Sequence, residues 1–343
     1  MRSRTLARSA LVVTLALGLA GGVGSTAVGT DKPQLEKASA PIGAAAGAPS
    51  TSDTGRSAES VSPLSLGYPD AEWTTFRHLN LLRLDASVEP VIRHGGLDSV
   101  ATNWLSTQTN TYEPQLDPNL EAKVPAGSAG GMQLIYWWEN GTDVQRFLEL
   151  VADELYYDGV DADVTDSGIA IGKSSYGLFA YYILLGYPHS TPNAGEMPLY
   201  RFYKPSAGTH FYSTSKAERN SVIGLADYRY EALVAYIMAP NATSTTTPLQ
   251  DLNRFQLKSS GTHFYTSSPT EYAAVLTYPQ YSLDGVAGRV FAQPASGLTA
   301  MHRFRRPASG THFYTANTAE VETVKTIPGY VYEGVAFYLR VAN

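Results

Sequence analysis

The sequence predicts an α+β domain followed by an all-β domain with pseudo-threefold repetition. Between residues 67 and 190, apolar residues at helical spacing alternate with short apolar runs that are typical of buried strands. From residue 197 to 343, one motif recurs three times at nearly constant spacing, which indicates a repeat architecture. At 343 residues, the chain is long enough for two modest cores.

The first 66 residues precede the predicted folded part. Arg2, Arg4 and Arg8 are followed by an apolar run over 10–24 and by small residues, which predicts a secretory signal peptide over 1–27. The run is short for a membrane span, although an uncleaved anchor stays open as the alternative. Residues 28–66 are mostly Ala, Gly, Ser, Thr and Pro and predict a disordered leader. We therefore expect a secreted, extracellular protein without a stable membrane span.

Composition excludes several classes of chemistry. The chain contains no cysteine, so a disulfide framework, a Cys-ligated zinc and a thiol nucleophile are all excluded. Its 25 Lys and Arg against 31 Asp and Glu give a formal net charge of −6. Binding to nucleic acid requires clustered positive charge, so we do not expect nucleic acid as a partner.

The α+β domain, about 67–190, is predicted from three helices and three strands. Trp73, Phe76, Leu79 and Leu82 recur at helical spacing, and the same pattern appears twice more downstream. The strands are predicted from apolar runs, two of which are separated by a turn. The remaining predicted helices are 97–105 and 144–155, and the strands are 133–138, 167–172 and 178–185.

This order of elements resembles a known superfamily. Asn80-Leu-Leu-Arg83, the helix 97–105 and Gly130-Gly-Met-Gln-Leu-Ile135 resemble the opening of the CAP superfamily, which includes cysteine-rich secretory proteins, antigen 5 and plant pathogenesis-related 1 proteins. The later helix and strands follow in that family's order. The resemblance covers about 120 residues and implies a CAP-like α-β-α sandwich.

The departures from the CAP pattern concern its metal site. The family resemblance implies a cluster of two histidines and two carboxylates, but Gln133 stands where the family has a Glu. Neither His78 nor His94 lies where the family's histidines are expected. We therefore expect no metal site and no cofactor. A cleft beside Gln133, Tyr136, Trp138 and Glu139 could still hold a sugar or lipid; the alternative is that the aromatic residues only pack in the core.

The repeats are the most specific signal in the chain. Each contains Arg-Phe, then Gly-Thr-His-Phe-Tyr, with seven residues from the Arg to the Gly. A Glu follows the His by eight residues, and an acidic residue follows it by 21. The three predicted units are 197–240, 250–292 and 300–343.

Each unit is predicted to form a strand, a tight turn, a return strand, a short helix and two closing strands. Ser215, Ser268 and Asn317 are the predicted helix caps. Four strands in each of three units favour a closed pseudo-threefold domain, and a β-trefoil is the expected class, although its Gln-x-Trp signature is missing. The repeats also resemble a bacterial family of secreted repeats of unknown function. That resemblance implies an accessory module, one that binds carbohydrate or the cell wall.

The repeated polar and aromatic residues admit three interpretations. They form the framework of each turn, or they form three shallow ligand sites with a tyrosine platform and a polar clamp. In the third interpretation, His210, His263 and His312 meet around one metal ion. The predicted ligand-binding residues are Arg201, His210, Tyr212 and Glu231 in the first unit, Arg254, His263, Tyr265 and Asp284 in the second, and Arg303, His312, Tyr314 and Glu333 in the third.

The function that these observations favour is non-catalytic adhesion to carbohydrate or cell-wall polymer through the repeats, with a degenerate CAP-like domain attached. The alternative is an extracellular hydrolase of cell-wall polymer or lipid, with Glu139, Asp153 and Glu154 as candidate acids in the first-domain cleft. The chain has no Gly-x-Ser-x-Gly nucleophile elbow. A purely structural surface protein is the third possibility.

Overall fold

The computed structural model describes residues 35–44, 69–244 and 246–342. The predicted signal peptide and most of the predicted leader lie outside the described residues. One part of the leader prediction is wrong, because Glu36–Ile42 forms a strand, β1, on the edge of the first sheet. Backbone hydrogen bonds to the neighbouring strand stabilise an edge strand, so a segment with few large apolar residues can still form one.

The described part of the α+β domain contains three α-helices and five strands. These are β1 (Glu36–Ile42), α1 (Pro69–Asp85), β2 (Ile92–Arg93), α2 (Gly95–Ser106), β3 (Gly130–Glu139), α3 (Val144–Asp158), β4 (Asp166–Ser174) and β5 (Gly177–Gly186). The three helices and three long strands predicted from the sequence are confirmed.

The five strands form one sheet in the order β1-β3-β5-β4-β2, in which only β2 and β4 pair in parallel. Strand β5 is buried along its whole length. Its alternate residues contribute to two separate cores, with α1 and α3 on one face and α2 on the other. A strand covered on both faces is a continuous apolar run, as in the sequence Leu178–Leu185.

Each repeat contains three strands and one α-helix. The first has β6 (Glu196–Lys204), β7 (Thr209–Ser213), α4 (Lys216–Ile223) and β8 (Arg229–Met238); the second has β9 (Leu249–Leu257), β10 (Thr262–Thr266), α5 (Pro269–Leu276) and β11 (Tyr281–Phe291); the third has β12 (Thr299–Arg306), β13 (Thr311–Thr315), α6 (Thr318–Thr326) and β14 (Val331–Val341).

The prediction of two closing strands per repeat is wrong. A single long strand, β8, β11 or β14, closes each unit by pairing with the unit's first strand. Register shifts interrupt each of these pairings twice, so one bulged strand takes the place of two. The four-stranded unit on which the β-trefoil expectation depends is therefore not observed, and the sheets are open.

The three closing strands also pair with one another. Arg289 on β11 pairs with Met238 on β8, Phe291 pairs with Tyr338 on β14, and Arg340 on β14 pairs with Tyr236. Because every closing strand contacts both others, the repeats are arranged with pseudo-threefold symmetry.

The first repeat shares a core with the α+β domain. Ile223 and Tyr230 belong to the same buried cluster as Phe76 on α1. Arg219 on α4 also forms an ion pair with Glu89, at 2.8 Å. Among the described residues, no helix combines the length and the apolar character that crossing a membrane would require.

Candidate functional site: the inter-repeat interfaces

The Gly-Thr-His-Phe-Tyr motif turns the chain into the second strand of each repeat. Gly208, Gly261 and Gly310 have φ of 58°, 66° and 70°, a left-handed conformation in which glycine is favoured. The predicted helix caps are confirmed, since the side chains of Ser215, Ser268 and Asn317 accept hydrogen bonds from backbone N–H groups in the first turns of their helices.

The motif tyrosines are buried together on the pseudo-threefold axis. Tyr212, Tyr265 and Tyr314 contact one another edge to face, with ring centroids 5.6–5.9 Å apart. Each hydroxyl donates to the backbone carbonyl of another tyrosine of the ring: Tyr265 to Tyr212, Tyr314 to Tyr265, and Tyr212 to Tyr314. The ring of hydrogen bonds therefore closes on itself.

This geometry corrects the prediction of a tyrosine platform at the surface. The three tyrosines are only 2–4% exposed, so they offer no ring face to a sugar. Burial also raises the pKa of all three hydroxyls, which stay protonated and able to donate. The sequence motif identifies the three tyrosines, but their side chains point inward only because three copies of the motif meet at one axis.

The motif arginines join neighbouring repeats. Each is bound by the late acidic residue of its own repeat and by the helix glutamate of the repeat before it, taken cyclically. Arg303, for example, lies 2.7 Å from Glu333 and 2.8 Å from Glu271 on α5. The corresponding sets are Arg201 with Glu231 and Glu320, and Arg254 with Asp284 and Glu218.

The late acidic residue occupies a β-bulge in every repeat. Glu231, Asp284 and Glu333 are each the unpaired residue at a register shift between the closing strand and the first strand. A bulge changes the direction of a side chain relative to the regular pleat. The repeated offset of 21 residues from the His thus corresponds to a carboxylate that contacts the arginine of its own repeat.

The motif histidines pack against the neighbouring repeat. His263 lies 4.8 Å from the ring of Phe211, and His312 lies 4.7 Å from the ring of Phe264, as centroid distances. His210 packs in the same way on Phe313. Burial lowers the pKa of His312 to about 4, with a further contribution from the charge of Arg303, so this imidazole is neutral at pH 7.

The structure does not support a metal ion on the axis. Each histidine Nε2 lies 3.2–3.7 Å from the acidic residue of its own repeat, so the three imidazoles face three separate carboxylates. Within the described ranges, no group of three His, Cys, Asp or Glu side chains is placed to hold a metal ion.

The three inter-repeat interfaces differ in their exposure. At the interface of repeats 3 and 1, the side chains of Arg201, Glu231 and Glu320 are at most 7% exposed. The corresponding side chains at the other two interfaces are 17–33% exposed. Two of the three equivalent charge clusters therefore remain accessible to solvent.

The interface of repeats 2 and 3 contains a cleft of about 140 Å³. One side is lined by Thr266, Ser267 and Ser268, and the other by part of β14. Gly334, with φ of 104°, lines the cleft, and a Cβ on it would meet no atom within 4 Å. The complete lining is Thr266, Ser267, Ser268, Glu271, Arg303, Glu333, Gly334, Val335 and Ala336.

The four residues of the cleft predicted in the α+β domain do not lie on one surface of the described structure. Successive residues of a strand point to opposite faces, so Gln133 and Tyr136 on β3 belong to different sides of the sheet. Gln133 is buried and accepts hydrogen bonds from Tyr181 and from the backbone of Asp117. Tyr136 and Trp138 pack in the core of the α1/α3 face, whereas Glu139 is exposed at the end of the strand.

The three candidate acids of the hydrolase interpretation are not brought to one cleft. Glu139 accepts a hydrogen bond from its neighbour Asn140, whereas Glu154 on α3 lies near Lys37 on β1. Asp153 is exposed on α3. Nothing in the described part of the chain pairs these carboxylates in contrasting environments, which acid–base catalysis requires.

The helix glutamates were not among the residues predicted for the site. Glu218, Glu271 and Glu320 were recognisable by their constant offset of eight residues from the His, but that spacing alone does not reveal a contact with the next repeat.

Comparison with known families is informative only for the repeats. The family model of a domain of unknown function (DUF5648) matches twice, at residues 182–252 and 251–342. This agrees with a C-terminal repeat region of unknown function. No match was found among curated proteins or among solved structures.

Proposed function

We propose that this is a secreted, non-catalytic protein whose repeat domain binds carbohydrate or cell-wall polymer in the accessible inter-repeat clefts. The observation that carries the proposal is the cleft between repeats 2 and 3, in which a partly exposed arginine–carboxylate cluster faces three hydroxyl-bearing residues. The site differs from the surface tyrosine platform that the sequence suggested.

The chemistry of this cleft suits a sugar. The carboxylates of Glu271 and Glu333 accept hydrogen bonds, and the guanidinium of Arg303 donates them, so vicinal hydroxyl groups could find both kinds of partner. Val335, which is 44% exposed, adds an apolar surface for the C–H face of a sugar ring.

The equivalent cluster between repeats 1 and 2 supports a second site. Arg254, Glu218 and Asp284 repeat the charge arrangement, and Val286 has the same position and the same 44% exposure as Val335. Two weak sites on one rigid domain would engage a polymer with a combined affinity well above that of either site.

Binding of the intact protein to purified peptidoglycan and cell-wall polysaccharides tests the proposal. Val335→Arg places a long cationic side chain in the cleft, and we expect at least a tenfold loss of binding, with a further loss when Val286→Arg is added. Val331→Arg is the matched control, since Val331 is 47% exposed on the same strand but does not line the cleft. Equal binding by the Val335 and Val331 variants, or no binding by the wild type, would refute the proposal.

For the α+β domain, we propose a degenerate CAP-like fold. The support is its layer order, with α1 and α3 on one face of the sheet and α2 on the other. Gln133 serves as a buried hydrogen-bonding residue at the position of the family's glutamate. A structural role for this domain as the support of the first repeat agrees with the core that they share.

A further inference from the structure

Two exposed tyrosines of the α+β domain meet at one end of the five-stranded sheet. Tyr112 is 52% exposed and Tyr176 is 41% exposed. Their ring centroids are 5.5 Å apart and their planes are inclined at 82°. This tyrosine pair, Tyr112 and Tyr176, therefore presents two accessible aromatic surfaces at an angle to each other. Scattered exposed apolar residues are ordinary, but a contacting pair of this size merits a functional explanation.

Backbone contacts hold the turn that carries Tyr176. The N–H of Ser175 donates to the carbonyl of Thr109, which lies in the loop that leads to Tyr112. The N–H of Asn140 donates to the carbonyl of Tyr176 itself, at 2.6 Å. The two rings are therefore positioned before any ligand arrives, which lowers the entropic cost of binding.

Glycine at position 177 permits this close approach of the turn to β3. Gly177 has φ of 151°, and a Cβ there would lie 2.1 Å from the carbonyl oxygen of Trp138. The turn between β4 and β5 thus packs directly on the end of β3, where Glu139 is located.

Three carboxylates lie near this tyrosine pair. Glu139, on β3 opposite Gly177, is the main group that raises the pKa of Tyr112, and desolvation and the charges of Glu113 and Glu36 raise it further. Within the described part of the chain, none of these three carboxylates forms an ion pair with a lysine, arginine or histidine. The tyrosine pair therefore combines aromatic faces with nearby carboxylates that have no cationic partner among the described residues.

We propose that Tyr112, Tyr176 and Glu139 form a binding site for a ligand that carries an ammonium group. Aromatic faces attract cations through the negative potential of their π systems, and a neighbouring carboxylate adds a charged hydrogen-bond acceptor. Either a de-N-acetylated amino sugar or a lysine side chain supplies this chemistry. The site is separate from the inter-repeat clefts and does not depend on the function proposed for them.

Titration of the full chain with three probes tests this site. The probes are a glucosamine hexasaccharide, its fully N-acetylated counterpart and a trilysine peptide, at pH 6 and 0.15 M salt, followed by NMR or calorimetry. We expect at least one ammonium-bearing probe to bind and the N-acetylated sugar to bind at least tenfold more weakly. The tighter of the two ammonium probes identifies the source of the ligand.

Variants separate the specific site from general attraction to an acidic protein. Tyr176→Ala and Glu139→Gln should each weaken binding of the ammonium probe at least tenfold. Tyr278→Ala, at a tyrosine that is 46% exposed in the repeat domain, and Glu322→Gln, at an exposed carboxylate on α6, should leave it unchanged. Absence of binding by both ammonium probes, equal binding of the N-acetylated sugar, or unchanged affinity of Glu139→Gln would each overturn the proposal.

Discussion

The hydroxyl of Tyr265 donates to the carbonyl oxygen of Tyr212 at 2.7 Å and accepts from the N–H of the same residue at 3.0 Å. One side chain of the second repeat thus satisfies both backbone groups of the equivalent tyrosine in the first repeat. Buried backbone groups without a partner are costly, so this contact couples the folding of neighbouring repeats.

Tyr265→Phe should destabilise the repeat domain. The substitution leaves the buried N–H and C=O of Tyr212 without these partners, and we expect a loss of about 1–3 kcal/mol in the free energy of unfolding. Chemical denaturation monitored by circular dichroism measures the loss. Tyr278→Phe, at an exposed tyrosine, is the control and should change stability by less than about 0.5 kcal/mol. Equal stabilities of the two variants would contradict this role.

The helix glutamates should contribute unequally to stability. Glu320→Gln removes one carboxylate from a cluster that is almost fully buried, so we expect a loss of about 2 kcal/mol or more. Glu271→Gln alters the same interaction where solvent has access, and its expected effect is below about 1 kcal/mol. Urea unfolding of both variants under one set of conditions provides the comparison. A larger loss for Glu271→Gln would show that burial does not determine the contribution.

Acid should destabilise the repeat domain through His312. Its pKa is about 4 in the folded protein and about 6.5 when unfolded, so the unfolded chain binds more protons between these values. Stability attributable to this group is complete above about pH 6.5 and is lost as the pH falls toward 4, by up to about 3 kcal/mol.

The His312→Gln variant isolates this contribution from that of the carboxylates. Glu218 and Glu271, whose pKa values are lowered mainly by hydrogen bonds from Arg254 and Arg303 despite desolvation, also lose their stabilising effect in acid. Thermal unfolding from pH 7 to pH 4 should therefore show a shallower decline in the variant than in the wild type. Parallel curves would exclude His312 as a source of the pH dependence.

Gln133→Glu should destabilise the α+β domain, most strongly at higher pH. The new carboxylate would be buried, and it could not replace the N–H donor that Gln133 presents to the carbonyl of Asp117. Burial would raise the pKa of this carboxyl, so the loss of stability increases as the pH rises and the group ionises. Gln133→Met, a neutral control of similar size, should lose stability without that pH dependence.

Local patterns in the sequence predicted much of the fold. The helices around Phe147 and Leu97 follow from apolar spacing, and the repeat turns follow from glycines such as Gly208. The strand at Glu36–Ile42 was missed because its stabilisation comes from backbone pairing with β3, to which its side chains give little clue. Likewise, the bulge that joins two predicted closing strands into β14 depends on pairing with β12.

The sequence predicted most residues of the candidate site but not their arrangement in space. The constant spacing of residues in the three repeats identified Arg303, Glu333 and Tyr314. The spacing is the same, however, whether a repeated tyrosine points to the solvent or to a symmetry axis. Its burial results from the meeting of three copies, which no single repeat encodes. The accessible cleft was missed for the same reason, since its two sides come from different repeats.

A single polysaccharide-binding experiment, with thermal unfolding measured in parallel, should compare one variant of the tyrosine ring with one variant of the cleft between repeats 2 and 3. We expect Tyr265→Phe to lower the melting temperature but to retain binding below it, and Val335→Arg to retain the melting temperature and to lose binding at least tenfold. Loss of binding by folded Tyr265→Phe together with full binding by Val335→Arg would contradict the assignment of the binding site to the cleft, because the tyrosine ring would then be needed for the ligand and the cleft would not.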